Sequence, residues 1–391
     1  MCIFPTTSNT ECRLHAKRLW YNAAWNKRAL GEAVSYSLAL GPFHPAWRGP
    51  QRFVFKLDGE RVADIEYTDG FNERGCAERL SRLALPQALH LVTRICGTCS
   101  FAHSLAFCQA LEQLCAIPVS DRANMLRCVA AELERIASHT RAAGGMLRAL
   151  GMDARARMLD GLRELALQGL QALSGARVIP DLCVPGGLRR DLAWPDRETV
   201  LVALPKLNRG LYRFIDTLIE QRALLARTIE VGGLPRAAAE QFGVRGPLAR
   251  ASGLARDARS DHPYAAYDKL AFKPITQDGG DVYARLVLLL LEAYESVKLI
   301  DQALKELPDG ETHGELSELL AAGQAVGIVE GPRGLIRYSI ESDGRKITQA
   351  RIDTPRQLDR LLARTLLSGA LLDNTVAIIA SIDSCTACAE R

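Results

Sequence analysis

The stretch Arg94-Ile-Cys-Gly-Thr-Cys-Ser-Phe-Ala-His103 has a counterpart at the far end of the sequence, Asp383-Ser-Cys-Thr-Ala-Cys-Ala-Glu-Arg391. Each carries a C-x-x-C pair, Cys96 with Cys99 and Cys385 with Cys388. One such pair fits a redox disulfide, half of a zinc site or an accident among eleven cysteines. Two of them suggest four thiolates around one soft metal centre. Zinc ribbons place their pairs about 15–20 residues apart, because a small loop has little else to hold it. Here most of the chain intervenes, so the fold itself has to bring the pairs together. Thiolates donate strongly to late transition metals and one sulfur can bridge two of them, so such a pocket suits a binuclear centre as well as a tetrahedral zinc. The first pair sits just before a helical pattern, whose N-terminal dipole and free amides favour deprotonated sulfur.

The 391 residues allow one large domain or two ordinary ones, with ample chain to bury a cofactor. An apolar fraction of 48% and a charged fraction of 24% are those of a globular protein, and a net charge of +4 is too small to argue for nucleic acid. The longest purely apolar run, residues 286–291, is far short of the roughly 18–20 residues that span a bilayer, so membrane association is expected only through partners. The basic N-terminal region lacks the apolar stretch and cleavage site of a secretory signal, and the odd cysteine count fits a reducing compartment; both lead to a cytoplasmic expectation.

Along the chain, residues 1–34 carry no firm pattern and are read as an N-terminal extension, with Cys2 and Cys12 as incidental thiols. Residues 52–57 and 62–67 alternate about Asp58-Gly59, the signature of a tight hairpin. Helical periodicity follows over 78–91, broken at Pro86, and over 100–115, where Cys108 and Cys115 fall on apolar steps and read as core thiols. Ser120 is a good N-cap for a long helix from Asp121 to near Gly144-Gly145, with Cys128 among its buried candidates. Further helices are expected over 153–174, 196–230 and 281–307, with loops over 180–195 and 237–277. A second β patch covers 325–330, 334–341 and 346–352, turning at Asp343-Gly344. A last helix begins near Pro355, and the apolar run 376–382 carries the second thiol pair inward. The expected fold is mainly α, a bundle of long helices with two small antiparallel sheets.

The two cysteine elements resemble the signatures of nickel-iron hydrogenase large subunits, R-x-C-G-x-C-x-x-x-H upstream and D-P-C-x-x-C-x-x-(H or R) at the C-terminus, with Ser384 where proline is usual. The wording of the first is most similar to the energy-converting, complex I-related branch. Gly41-Pro-Phe-His-Pro45, Glu132-Leu-Glu-Arg-Ile-Ala-Ser-His139 and Pro185-Gly-Gly-Leu-Arg-Arg-Asp-Leu192 agree, so the resemblance runs from about Gly41 to Arg391 and residues 35–391 are read as one domain of this type. It implies the long-helix fold shared with the complex I 49-kDa subunit, and a nickel-iron centre whose iron bears carbon monoxide and cyanide. Cys96 and Cys385 would be terminal nickel ligands, and Cys99 and Cys388 would bridge the metals. His103, one helical turn after Cys99, would donate a hydrogen bond to that sulfur. Arg333, in Glu330-Gly-Pro-Arg-Gly334, would overhang the metals, and Asp383 would sit beside the second pair. The implied partners are a small iron-sulfur subunit that takes the electrons, a ferredoxin-like subunit and integral membrane subunits at the cytoplasmic face of the cell membrane. The substrates would be protons and H2. Relatives commonly carry a C-terminal tail cut after this element; a chain stopping at Arg391 is read as a mature form or one made without a tail.

Bland readings stand beside these. A structural zinc would use the same sulfurs, a lone histidine on an apolar helix is most often a core residue, and a Pro-Arg-Gly turn is usually an exposed loop. Glu132, Arg135 and His139 share one helical face, for which the resemblance implies an electron- or proton-transfer role near the small-subunit junction and a solvated or interface ion-pair ladder is the ordinary explanation. One departure bears on function. Where hydrogen-handling relatives commonly place a glutamate after the G-P-x-H-P element, this chain has Gly49. Another acid would have to move the proton, with Glu73 as candidate, and Gly49→Glu is expected to raise proton-dependent turnover. The same feature supports the rival reading, a non-catalytic, complex I-like coupling subunit.

Overall fold

Alternation of apolar and polar residues builds the first sheet in a computed structural model, which describes residues 35–313, 320–355 and 358–391. The extension expected over residues 1–34 lies outside the described residues. Strands β1 (Ser35–Leu40), β2 (Arg52–Asp58) and β3 (Arg61–Thr68) form an antiparallel sheet in that order. Phe53, Phe55 and Leu57 of β2 face inward at every second position, as a half-buried strand requires. The expected hairpin is present, and β1 is an addition to it.

Helices follow: α1 (Cys76–Leu80), α2 (Leu85–Val92), α3 (Ser100–Cys115), α4 (Asp121–Ala149) and α5 (Asp153–Ser174). The Ser120 hydroxyl accepts the Ala123 amide at 3.1 Å and caps α4 as expected. The helix nevertheless runs past Gly144-Gly145, because Gly144 is buried against the start of α5 and that packing outweighs the roughly 1 kcal/mol propensity cost of glycine. The loop over 180–195 carries a two-residue hairpin, β4 (Cys183–Val184) and β5 (Gly187–Leu188). The expected helix over 196–230 is two, α6 (Asp196–Ile219) and α7 (Arg222–Thr228). Three short helices punctuate the segment read as irregular, α8 (Arg236–Gln241), α9 (Gly246–Arg250) and α10 (Ala258–Asp261), before α11 (Val282–Lys305).

Strands β6 (Ala322–Gly331), β7 (Gly334–Asp343) and β8 (Ile347–Asp353) form the second antiparallel sheet. The chain ends in α12 (Arg360–Leu367), α13 (Leu372–Ile382) and α14 (Thr386–Ala389). Asp359, rather than the region of Pro355, caps α12.

Helix α4 is buried on nearly every side and packs against α5, α11 and α13. Helix α3 lies on β6 and β7 so closely that a Cβ at Gly327 would meet the Ala106 carbonyl oxygen at 1.9 Å. One apolar cluster gathers around α3 and the second sheet, another around the first sheet, α13 and the C-terminal half of α4. The N-terminus of α3 and the C-terminus of α13 meet at their border, and these are the two places where the thiol pairs sit.

Candidate metal centre

All four paired thiols are buried and converge. Cys96 Sγ lies 3.7 Å from Cys385 Sγ, and Cys99 Sγ lies 3.1 Å from Cys388 Sγ. The sulfurs of Cys96, Cys99 and Cys388 alone fall within 4.8 Å of one another, a grouping suited to a metal ion. Hydrogen bonds from Cys385, Cys388 and Cys99 pull the Cys96 thiol well below its ordinary value. Against a lowering bond from Cys388, the Cys96 contact and burial push Cys385 up to about 11 and Cys99 well above its ordinary value. The cluster thus takes a first negative charge readily and resists further ionisation, which a bound cation would favour. The donor set fits a soft metal, and sulfur pairs related as 96 to 385 and 99 to 388 offer the shared edge of a binuclear centre.

Several clasps hold the two loops together. Arg74 donates to the Ile95 carbonyl at 2.9 Å and to the Ala387 carbonyl at 2.5 Å, joining the two thiol segments directly. Glu390 accepts the Gly70 and Asn72 amides, so the turn after β3 grips the last segment. Ser384, where proline is usual, donates its hydroxyl to Gln51 Oε1 at 2.8 Å and ties Cys385 to the β1–β2 connection. Sequence reasoning missed Arg74 and Gln51, each of which has a partner in the second thiol segment more than three hundred residues away.

Beside the thiols, four side chains form a closed ring. Asp383, in left-handed conformation at the end of α13 (φ 51°), pairs with Arg333 at 3.0 Å and with Arg48 at 3.3 Å. Both guanidiniums also reach Thr98 Oγ1 at 3.1 Å, and that oxygen is 3.3 Å from Cys96 Sγ. Arg333 and Asp383 thus lie within the ring that touches Cys96, and Arg333 is buried rather than on an exposed loop. Arg48 and Thr98 were not anticipated. The ring borders a cavity of about 700 Å3 lined by His44, Arg48, Arg141, Asp373 and Ser384 among others.

His103 is fully buried, and it approaches Cys388 rather than the Cys99 expected from helical spacing: Nε2 to Cys388 Sγ is 3.6 Å. The reason is that Cys99 is itself the N-cap of α3, so its side chain leaves the helix axis while the His103 ring crosses to the other loop. Burial pulls the imidazole down to about 4, leaving it neutral with one N–H. Burial keeps Tyr338 protonated, and its hydroxyl is 2.9 Å from His103 Nδ1. In the Nε2–H tautomer the hydroxyl donates to Nδ1 and the imidazole N–H is aimed at Cys388, the arrangement that suits a thiolate at that position. Glu134, also unforeseen, accepts the Phe101 and Ala102 amides at 2.8 and 3.1 Å and so caps α3 from a neighbouring helix. Burial raises its carboxyl to about 7.

Glu132, Arg135 and His139 are not a solvated ladder, for all are at most 1% exposed. Their counter-charges come from α9, α10 and its preceding loop, α11 and β6. Glu132 accepts Arg135 and Arg259; Arg259 pairs with Asp257; Arg250 pairs with Asp257, Glu292 and Glu330; Glu292 bonds His139 at 2.8 Å. Four carboxylates thus face three guanidiniums and one imidazole. The network reaches the ring of side chains through the β6–β7 turn, because Arg135 donates to the Glu330 and Gly331 carbonyls, immediately before Arg333.

Gly49 has φ +72°, and a Cβ there would lie 1.8 Å from Thr386 Oγ1. The backbone at this point runs beside the second thiol segment, with Arg48 and Cys385 bridged in parallel. Gly49→Glu is therefore not a simple graft of a missing acid, since both the φ angle and Thr386 oppose it. Glu73 is exposed on the turn after β3, outside the buried site.

The chain is similar to known proteins over most of its length. The family model of the respiratory-chain NADH dehydrogenase 49 Kd subunit matches residues 150–320 and 315–391. The carbon monoxide-induced hydrogenase of Rhodospirillum rubrum is 32% identical over 361 residues, covering 91% of this chain and 99% of the relative. An NADH-quinone oxidoreductase component of Herpetosiphon aurantiacus is 31% identical, covering 88% of this chain and 95% of the relative. A chain of the membrane-bound sulfane sulfur reductase, an archaeal respiratory membrane complex, superposes with a TM-score of 0.85 at 27% identity, covering 91% of this chain and 98% of that one. Among the described residues no helix is long and apolar enough to cross a membrane. The chain belongs to the family of the respiratory-chain NADH dehydrogenase 49 Kd subunit, on the energy-converting, complex I-related branch of nickel-iron hydrogenase large subunits.

Proposed function

We propose that this chain is the catalytic large subunit of a membrane-bound, energy-converting nickel-iron hydrogenase that interconverts protons and H2. The observation that carries the reading is the convergence of four buried thiols from two C-x-x-C pairs almost three hundred residues apart. Cys96, Cys99, Cys385 and Cys388 would hold the nickel-iron centre. When bound, that centre supplies the heterolytic splitting of H2. The chain's own residues shape its surroundings. His103 Nε2–H holds the Cys388 sulfur in place, and Tyr338 holds the imidazole. Arg333, fixed by Asp383 and Ser138, offers positive charge at the edge of the thiol cluster. A thiolate sulfur or a neighbouring base receives the proton. Because these four cysteines serve one site, electrons would leave through an iron-sulfur cluster in a small partner subunit, with a ferredoxin-like subunit and integral membrane subunits completing a complex at the cytoplasmic face of the membrane.

A second reading has its own support. Gly49 offers no carboxylate to the site, and the family includes NADH-quinone oxidoreductase components. On that reading the chain is a non-catalytic coupling subunit. Exchange of H2 with D2O by the assembled complex separates the two. Steady exchange in the parent that disappears in Cys385→Ser supports the hydrogenase, and a complex that assembles with its metals but shows no exchange supports the coupling subunit.

A further inference from the structure

Thr98 lies between the two ligands of the first pair, and its hydroxyl meets three groups at once. Arg48 Nη1 and Arg333 Nη1 each approach Oγ1 at 3.1 Å, and Cys96 Sγ is 3.3 Å away. Guanidinium groups only donate hydrogen bonds, whereas a hydroxyl offers two lone pairs and one proton. The two arginines take both lone pairs. Of the three groups, the Cys96 sulfur is the one able to receive the Thr98 proton. We infer that Thr98 is a positioning residue of the metal centre, whose O–H donates to the Cys96 thiolate with a direction enforced by Arg48 and Arg333.

The arrangement is over-determined. Asp383 accepts from both arginines and keeps their planes facing Thr98, so rotation of the hydroxyl away from sulfur would set its proton against a guanidinium N–H. Such a bond withdraws charge from the sulfur. A thiolate that gives part of its lone-pair density to a hydroxyl is a weaker donor to a soft metal, and hydrogen bonds to thiolates are one of the means by which a protein raises the potential of a metal-sulfur site. The second arginine gives the arrangement its force. With Arg333 alone, one lone pair of Thr98 would be open and the hydroxyl could turn.

The inference rests on the four-thiolate reading, and the test keeps the two apart. Cobalt(II) serves as the probe in the full chain, because its sulfur-to-metal charge-transfer absorption reports the donor strength of bound thiolates. The parent, Thr98→Val and Thr98→Ser are compared. Valine preserves shape and removes the proton, so its charge-transfer band should move to lower energy while the ligand-field bands keep their positions; serine should restore the parent spectrum. Superimposable charge-transfer bands in parent and Thr98→Val, or a serine variant that follows valine, would overturn the inference while leaving the metal site intact. A parent that binds no cobalt would count against the four-thiolate reading itself. The hydrogen-bond pattern is then still measured in the metal-free chain by thermal unfolding of Thr98→Val, Arg48→Gln and the double variant. Non-additive effects are expected from residues sharing one bond, and strict additivity would overturn the pattern.

Discussion

Glu132→Gln removes one charge from the centre of the buried network and keeps the shape of the side chain. In the parent, Arg135 Nε and Arg259 Nη1 lie 3.1–3.3 Å from its oxygens, and Ser296 and Tyr267 donate to the same carboxylate. Burial alone would raise this carboxyl, but Arg135 and Arg259 lead the groups that bring it down to about 2. Against an ordinary value near 4.5 in the unfolded chain, that lowering corresponds to about 3 kcal/mol at neutral pH. Breaking buried pairs by removing one partner costs about 3–5 kcal/mol, so two independent routes agree. For 391 residues unfolding as one unit, an unfolding entropy of about 2 cal/mol/K per residue turns this into a drop of roughly 4 °C in Tm. The pH dependence has a definite sign. Since the folded value is depressed, the stabilisation is complete above about pH 4.5 and is lost as pH falls toward 2. Thermal unfolding followed by circular dichroism from pH 8 down to 3 should show a gap between parent and variant that is constant above about pH 5 and narrows below it. A variant as stable as the parent at neutral pH, or a gap that stays constant to the acid end of the series, would refute the argument.

Three other outcomes follow from the same geometry. His103→Ala should weaken metal retention about 10–100-fold in chelator competition, and Tyr338→Phe should weaken it less, because the imidazole then loses only the bond that fixes its tautomer. Gly49→Ala should destabilise the metal-free chain by more than the roughly 1–2 kcal/mol of left-handed strain, and Thr386→Ala in the same chain should return the steric part of that loss on thermal unfolding. Cys128→Ser should leave metal content unchanged, since its oxygen can still accept the Ala266 amide, 3.4 Å from sulfur in the parent.

The four cysteines were legible because each pair is local and the spacing inside a pair is itself a chemical signature. So were α3, the N-cap of α4 and both hairpins, where short-range rules suffice. What the sequence concealed is the set of contacts between distant segments. Glu132, Arg135 and His139 read as a solvated face because their partners Arg250, Asp257, Arg259 and Glu292 lie more than a hundred residues on, mostly in a stretch whose glycines and prolines hid three short helices. Helical spacing pointed His103 at Cys99, but the long-range contact to Cys388 won. Thr98 and Arg48 gave no signal at all, since a threonine between two cysteines has meaning only once two arginines are seen to occupy its lone pairs.

The central claim is that Cys96, Cys99, Cys385 and Cys388 together hold one nickel-iron centre. Elemental analysis of the chain purified from its native complex measures it directly, in the parent and in serine variants of each of the four. The account requires close to one nickel and one iron per parent chain, and loss of nickel in every variant. Zinc in the parent, or nickel retained after substitution of any of the four, would contradict it.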